Sequence, residues 1–311
     1  MTNDIQLFNA LLRQRFDVFT ERCFMELNPG TTYLPNWHIE AIEHQLMRCM
    51  AGDINRLLIT MPPRSLKSNC ASVAFPAWLL GNQPDRSIIC ASYAQELATE
   101  LARDTRRIML SPWYRRAFPR THLARANEER LSTTRGGGRL ATSVGGTLTG
   151  LGGDYIIVDD PLKALDAVSE PARKKVLQWF NTTLLSRLND KRTGVIIVVM
   201  QRVHMDDLAG YLLEQGGWEV LALPAIAETP QDIMLPGNRV HRRLPDDLLH
   251  EAREPLDVLE KMKRELGTMG FAAQYQQNPI PMEGNYFKPG WIKLHKEMPE
   301  REIGDGVYQS W

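Results

Sequence analysis

Five short runs of nearly uninterrupted apolar residues, separated by longer stretches with helical spacing, constrain this chain more than any other feature. The runs are RLLIT (56–60), SIICAS (87–92), YIIVDD (155–160), GVIIVVM (194–200) and WEVLALP (218–224). A strand without polar alternation must be covered on both faces, as happens in a mostly parallel sheet between two helical layers. The segments 67–80, 94–110, 169–188 and 206–215 read as the intervening helices. The expected fold class is therefore α/β, with a mostly parallel central sheet flanked by helices.

The flanks differ from this core. Residues 1–30 read as a helical segment ending at the breaker Asn28-Pro29-Gly30, and HIEAIEHQLMRCM reads as a second helix closed by Ala51-Gly52. The core is expected over 31–226. Beyond Ala227, prolines recur at 230, 236, 245 and 255, no strong strand is evident, and helices are expected near 246–252 and 255–276. This gives a small helical lid or linker subdomain over 227–285, followed by a linker from 286.

Composition narrows the function classes. The 311 residues carry 37 basic and 37 acidic side chains and are 43% hydrophobic, the profile of a globular chain and not of a disordered one. The longest weakly charged apolar stretch, Cys70 to Gly81, is far shorter than the roughly 20 residues that span a bilayer. The N-terminus lacks the charged, apolar and small-residue regions of a secretory signal. Cys23, Cys49, Cys70 and Cys90 form no CxxC pair, so neither a disulfide framework nor a zinc site is indicated. A soluble cytoplasmic protein is expected. Net neutrality hides one local excess: between Leu101 and Leu140 ten arginines stand against three acids, with no lysine. Such a stretch suits phosphate contact, as in DNA or a nucleotide, or equally a solvated helical face.

After RLLIT the chain reads Met61-Pro62-Pro63-Arg64-Ser65-Leu66-Lys67-Ser68 and then turns helical. Strand, loop and helix ending in Lys-Ser form a phosphate-binding arrangement, because the helix start aims free N–H groups at an anion. Lys67 is positioned for β/γ-phosphates and the Ser68 hydroxyl for Mg²⁺. The strict glycine pattern fails, since Met61 and Leu66 hold the two glycine positions. The two prolines donate no N–H, so the cradle must come from Arg64, Ser65, Leu66, Lys67 and Ser68. The run YIIVDD then delivers Asp159, placed to hold Mg²⁺, and Asp160, placed to orient or deprotonate an attacking water. GVIIVVM ends in Gln201-Arg202, suited to sensing a γ-phosphate. Three such strand ends in one sheet make a Mg²⁺-dependent nucleoside triphosphatase the leading reading. His204 to Asp207 read better as a helix cap than as a metal site. Trp37-His38 suit either an adenine contact or core packing. The glycine cluster 145–153 suits a ligand-touching loop or plain turns.

The ordered stretches ITMPPRSLKS (59–68), ICASYAQELA (89–98), GGTLTGLGGDYIIVDDP (145–161), WFNTTLLSRL (179–188), VMQRVHMDDLAG (199–210) and FAAQYQQNPIPMEGNYF (271–287) resemble the large terminase subunit of tailed bacteriophages and prophages. The resemblance runs from about residue 35 to the end. It implies an additional-strand P-loop ATPase followed by an RNase H-like nuclease. By motif, Lys67 and Ser68 correspond to Walker A, Arg64 to the nucleotide-sensing loop arginine, Asp159 and Asp160 to Walker B, and Gln201-Arg202 to the coupling motif. Leu66 and Asp160 depart from the glycine and glutamate that many relatives carry, which implies slower turnover.

The resemblance also implies partners: double-stranded DNA, a small terminase subunit, a portal and procapsid, and a homo-oligomeric ring, all in the host bacterial cytoplasm. One of the arginines, Arg135 and Arg139 among them, would act in trans as a finger. VYQSW at 307–311 resembles the lead-in to the first nuclease aspartate, so 286–311 reads as linker and truncated nuclease start, without nuclease activity. Two rival readings are a helicase-like or repair ATPase and a degenerate, non-hydrolysing prophage remnant serving as an assembly module.

Overall fold

The computed structural model describes residues 2–281 except Thr147 and Thr149. Helices α1 (Thr2–Gln14), α2 (Phe16–Leu27) and α3 (Trp37–Ala51) precede β1 (Arg56–Thr60). Then come α4 (Phe75–Asn82), β2 (Ser87–Ser92), α5 (Gln95–Leu110), α6 (Pro112–Ala117), β3 (Leu123–Ala126), β4 (Arg130–Thr133) and β5 (Gly138–Ser143). The core closes with β6 (Tyr155–Asp159), α7 (Glu170–Trp179), β7 (Val195–Met200), α8 (Leu208–Gln215) and β8 (Glu219–Ala222). The last elements are β9 (Gln231–Leu235), β10 (Arg239–Arg243) and α9 (Leu256–Gln274).

Eight strands form one sheet in the order β3-β4-β5-β2-β6-β7-β1-β8. From β5 to β8 all pairings are parallel, while β3 and β4 extend the edge antiparallel. The apolar runs are buried on both sides as expected. Leu57, Ile59, Ile88, Ile157, Ile197 and Val199 point into a core with α1 to α6. Their neighbours Leu58, Ile89, Ile156, Val158, Ile196 and Val198 point into the opposite core with α7 and α8. At about 25 cal/mol per Å² of apolar surface, this double burial is the main force holding the sheet between its layers.

Capping residues set the helix ends. Gly52 adopts a φ of 85° and donates its N–H back to the last turn of α3. Asp207 caps α8 by accepting from the Gly210 N–H, the role read for this segment from its sequence.

The segment after Ala227 departs from the helices expected there. Helix α9 forms, but β9 and β10 make an antiparallel hairpin reversed at Gly237 and Asn238, both left-handed. The expected helix at 246–252 is absent. Its backbone groups pair instead with 225–227: Ala227 N–H donates to Asp247 O, Asp246 N–H to Ala227 O, and Leu249 N–H to Ala225 O. Residues 286–311, expected to begin a nuclease, lie outside the described residues. No helix among the described residues is long and apolar enough to cross a membrane.

Candidate functional site

Parallel pairing brings three strand ends to one edge. Thr60 of β1 is level with Met200 of β7, and Asp159 of β6 is level with Val199. Because β7 lies between β1 and β6, the groups that follow those two strands meet across it. Lys67 Nζ sits 3.2 Å from Asp160 Oδ2, and Ser68 Oγ donates to Asp159 Oδ1 at 2.9 Å. Strand ends of a parallel sheet are where such folds receive ligands.

Asp160 is fixed from three sides. Its N–H donates to Val199 O, its carbonyl accepts from the Tyr93 N–H, and its Oδ1 accepts from the Gln201 N–H at 3.0 Å. These contacts hold it at a left-handed φ of 42°. Asp159 lies beneath, 2% exposed. Burial pushes its carboxyl up to about 6, and the Asp160 charge adds to this, while Lys67 and Ser68 pull it down.

The loop between β1 and the following π-helical turn (Asn69–Ala74) makes two left-handed steps without glycine: Arg64 and Leu66 each have φ of 61°. Each costs roughly 1–2 kcal/mol, so other contacts must hold the loop. Ser65 Oγ donates to Pro62 O at 2.7 Å. Two further contacts come from outside. The Arg253 guanidinium donates to Arg64 O, and His38 Nε2 lies 3.2 Å from Ser65 O.

A cleft of about 990 Å³ opens over this loop. Arg64, Ser65, Leu66, Lys67, Ser68, Asp160 and Gln201, all singled out from the sequence, line it. Three buried oxygens around it have no hydrogen-bond partner: Asp159 Oδ2, Asn69 Oδ1 and Gln201 Oε1. Buried polar atoms are rarely left so, and these fit an anionic ligand carrying a cation or N–H donors. No group of three or more His, Cys, Asp or Glu among the described residues could hold a metal. Mg²⁺ fits this chemistry without such a cluster, since it is commonly held by one carboxylate, a hydroxyl and phosphate oxygens. Asp159 and Ser68 supply that pair.

Two expectations need correcting. Arg202 does not join the cleft. Its Nε is 3.0 Å from both carboxylate oxygens of buried Asp207, and its Nη2 donates to the carbonyls of His204 and Met205. Asp207 gathers this guanidinium because it also caps α8, so Gln201 alone of the pair faces the site. Arg139 cannot serve as a finger, since it is 1% exposed and donates to Ser72 O beneath the sheet. Of the other nine arginines in that stretch, eight are exposed, which keeps the charged-face reading open.

Sequence reasoning left Trp37-His38 undecided. Trp37 stacks on His241 with ring centres 4.2 Å apart, under the Arg243 guanidinium, and does not line the cleft. His38 does line it. In the glycine cluster, Leu148 is buried and accepts from Arg187, and none of its described residues lines the cleft. Asn69, Tyr93 and Arg253 went unnoticed in the sequence. Only Asn69, directly after Ser68, carried a signal that spacing would reveal.

No family model matches the chain, and no curated protein matches it. Several solved structures are similar to it. The HK97 bacteriophage large terminase is 14% identical with a TM-score of 0.48, over 68% of this chain and 44% of that one. The chain thus spans less than half the length of that protein. The ATPase domain of the Thermus phage P74-26 large terminase is 12% identical with a TM-score of 0.47, over 81% of this chain and 95% of that one. The large terminase of a thermophilic bacteriophage, solved in complex with ADP, is 7% identical with a TM-score of 0.39, over 74% of this chain and 51% of that one.

Proposed function

We propose that this chain hydrolyses ATP and is the ATPase domain of a DNA-packaging motor. The observation that carries the reading is the meeting of Lys67, Ser68, Asp159 and Asp160 across β7. In it, Lys67 and the N–H groups of the loop from Arg64 to Ser68 bind the phosphates, as a helix start and an ammonium do for any polyphosphate. Ser68 and Asp159 would hold Mg²⁺, which when bound neutralises charge on the β- and γ-phosphate oxygens. Asp160 accepts a proton from water as its oxygen bonds to the γ-phosphorus and the bond to the ADP oxygen breaks. Gln201, next to Asp160, orients that water or the γ-phosphate. Catalysis of this kind is mostly positioning and charge stabilisation.

The sequence resemblance to terminase large subunits and the exposed arginines of 103–135 support double-stranded DNA as the track. Translocation into a procapsid, docking on a portal and small subunit, and assembly as a ring belong to the same proposal. So do the host cytoplasm as location and the division at 30, 226 and 285. The test is phosphate release with and without double-stranded DNA, for the parent chain and for Lys67→Ala and Asp160→Asn. DNA-stimulated release lost in both variants is expected. An inactive parent, even within its assembled motor, or variants equal to the parent would sink the enzyme reading. The second reading, a non-hydrolysing assembly module, draws on the absence of glycine at Met61 and Leu66, and an inactive parent would favour it.

A further inference from the structure

The phosphate loop is gripped from outside by two side chains far from it in sequence. Arg253, exposed at the cleft rim, donates to the carbonyl of Arg64. His38, 2% exposed, faces the carbonyl of Ser65 from the first turn of α3. The direction of the second bond follows from a chain of partners. The Asn36 amide nitrogen donates to Leu249 O at 2.7 Å, so that atom is the NH₂ group. The same nitrogen meets His38 Nδ1, which must therefore be the acceptor. The proton is then on Nε2, which donates to Ser65 O. Burial, with His250 close by, pulls His38 down to about 3, so the ring stays neutral.

A peptide unit is planar and trans, so its C=O and the next residue's N–H point in opposite directions. Holding the carbonyls of Arg64 and Ser65 toward Arg253 and His38 turns the N–H groups of Ser65 and Leu66 to the opposite side of the loop. We propose that Arg253 and His38 are positioning residues of the phosphate site, fixing from outside the peptide orientations that glycines make accessible in an ordinary loop of this kind. The inference rests on the phosphate-site reading above and adds the segment 248–253 to it. Arg253 lies beyond the sheet core, so the order of the loop depends on whether that segment is docked.

Two measurements on the full chain test this. The first is binding of a ribose-labelled fluorescent ATP with Mg²⁺, and of adenosine, to the parent, Lys67→Ala, Arg253→Ala, Arg253→Lys and His38→Gln. Loss of one carbonyl hydrogen bond should weaken ATP binding about five-fold, with adenosine unchanged and Arg253→Lys recovering part of the loss. The second is amide hydrogen exchange across 64–70 without nucleotide, which Arg253→Ala should accelerate. Arg253 is exposed, so its variants report on the loop and not on folding. Parent-like ATP binding in Arg253→Ala, alongside lost binding in Lys67→Ala, overturns the clamp and leaves the phosphate site standing. Weakened ATP binding with unchanged exchange makes Arg253 a direct phosphate ligand and also overturns it. Equal weakening of ATP and adenosine overturns it as general loosening. A parent that binds no ATP, or a Lys67→Ala variant that binds like the parent, removes both readings.

Discussion

Lys67 and Asp160 form an ion pair of 3.2 Å although the strands leading to them are not neighbours. The lysine is only 5% exposed, so its charge acts in a poorly screened setting. Replacing it with alanine should lower phosphate release by roughly 10²–10³-fold, the usual loss of a preorganised charge contact. A colorimetric phosphate assay at saturating ATP reads this directly, and a drop of less than tenfold would contradict the role.

Asp160→Asn separates binding from hydrolysis. The asparagine keeps an oxygen for the Gln201 N–H and frees Lys67 from its partner. ATP should bind at least as tightly as in the parent, while turnover falls by roughly 10²–10⁴-fold with the loss of a general base. Equilibrium binding and single-turnover rates on the same preparation check both halves.

Glu43, on α3, gives stability a pH signature away from the site. Burial, with Asp17 nearby, raises its carboxyl from 4.5 to about 7. The folded chain keeps a proton there across that interval that the unfolded chain has released, so stability falls as pH rises from 4.5 through 7. Glu43→Gln should flatten this limb and gain about 1–3 kcal/mol at pH 8. His38 works oppositely: lowered from 6.5 to about 3, it makes stability rise with pH over that range. Urea midpoints at pH 5 and pH 8 distinguish the variant, and an unchanged pH slope would rule Glu43 out.

Asp207 joins a buried ion pair to a helix cap. Asp207→Ala leaves the Arg202 charge 8% exposed without its partner and removes the acceptor for Gly210 N–H. A loss of roughly 3–5 kcal/mol is expected, read from chemical unfolding. Asp207→Asn keeps an acceptor for the cap and should lose less.

The strands were legible where burial on both faces leaves no choice of residue. Runs 56–60 and 87–92 coincide with β1 and β2 to the residue. Strands β3 to β5 escaped notice because the antiparallel edge is short and arginine-studded, with Arg125, Arg130 and Arg139 reading as a charged stretch. The hairpin did carry a signal: Ile233 and Leu235 alternate with exposed Asp232 and Met234 ahead of Pro236-Gly237-Asn238. The prolines drew attention from that two-residue period. Lys67, Ser68, Asp159 and Asp160 were readable because local order places the acids at the end of β6 and the Lys-Ser pair at the end of the loop that follows β1. The Arg253 contact was not, since 189 residues separate its partners and no local pattern joins them. Arg202 misled because a strand-end arginine looks like a sensor until its neighbour at 207 is seen to face inward.

Directly after α9, residues 275–277 are tied back to the sheet. Gln277, left-handed at φ 56°, accepts the Arg202 N–H with its side-chain oxygen at 3.0 Å. The Ala225 N–H donates to the Tyr275 backbone carbonyl, and the Ile226 N–H donates to the Gln276 side-chain oxygen. The outgoing polypeptide is therefore moored one residue from Gln201, the tip of the middle strand. A tug on whatever follows reaches that tip through one side chain and one peptide, and a sideways step of the tip reaches the tether as directly.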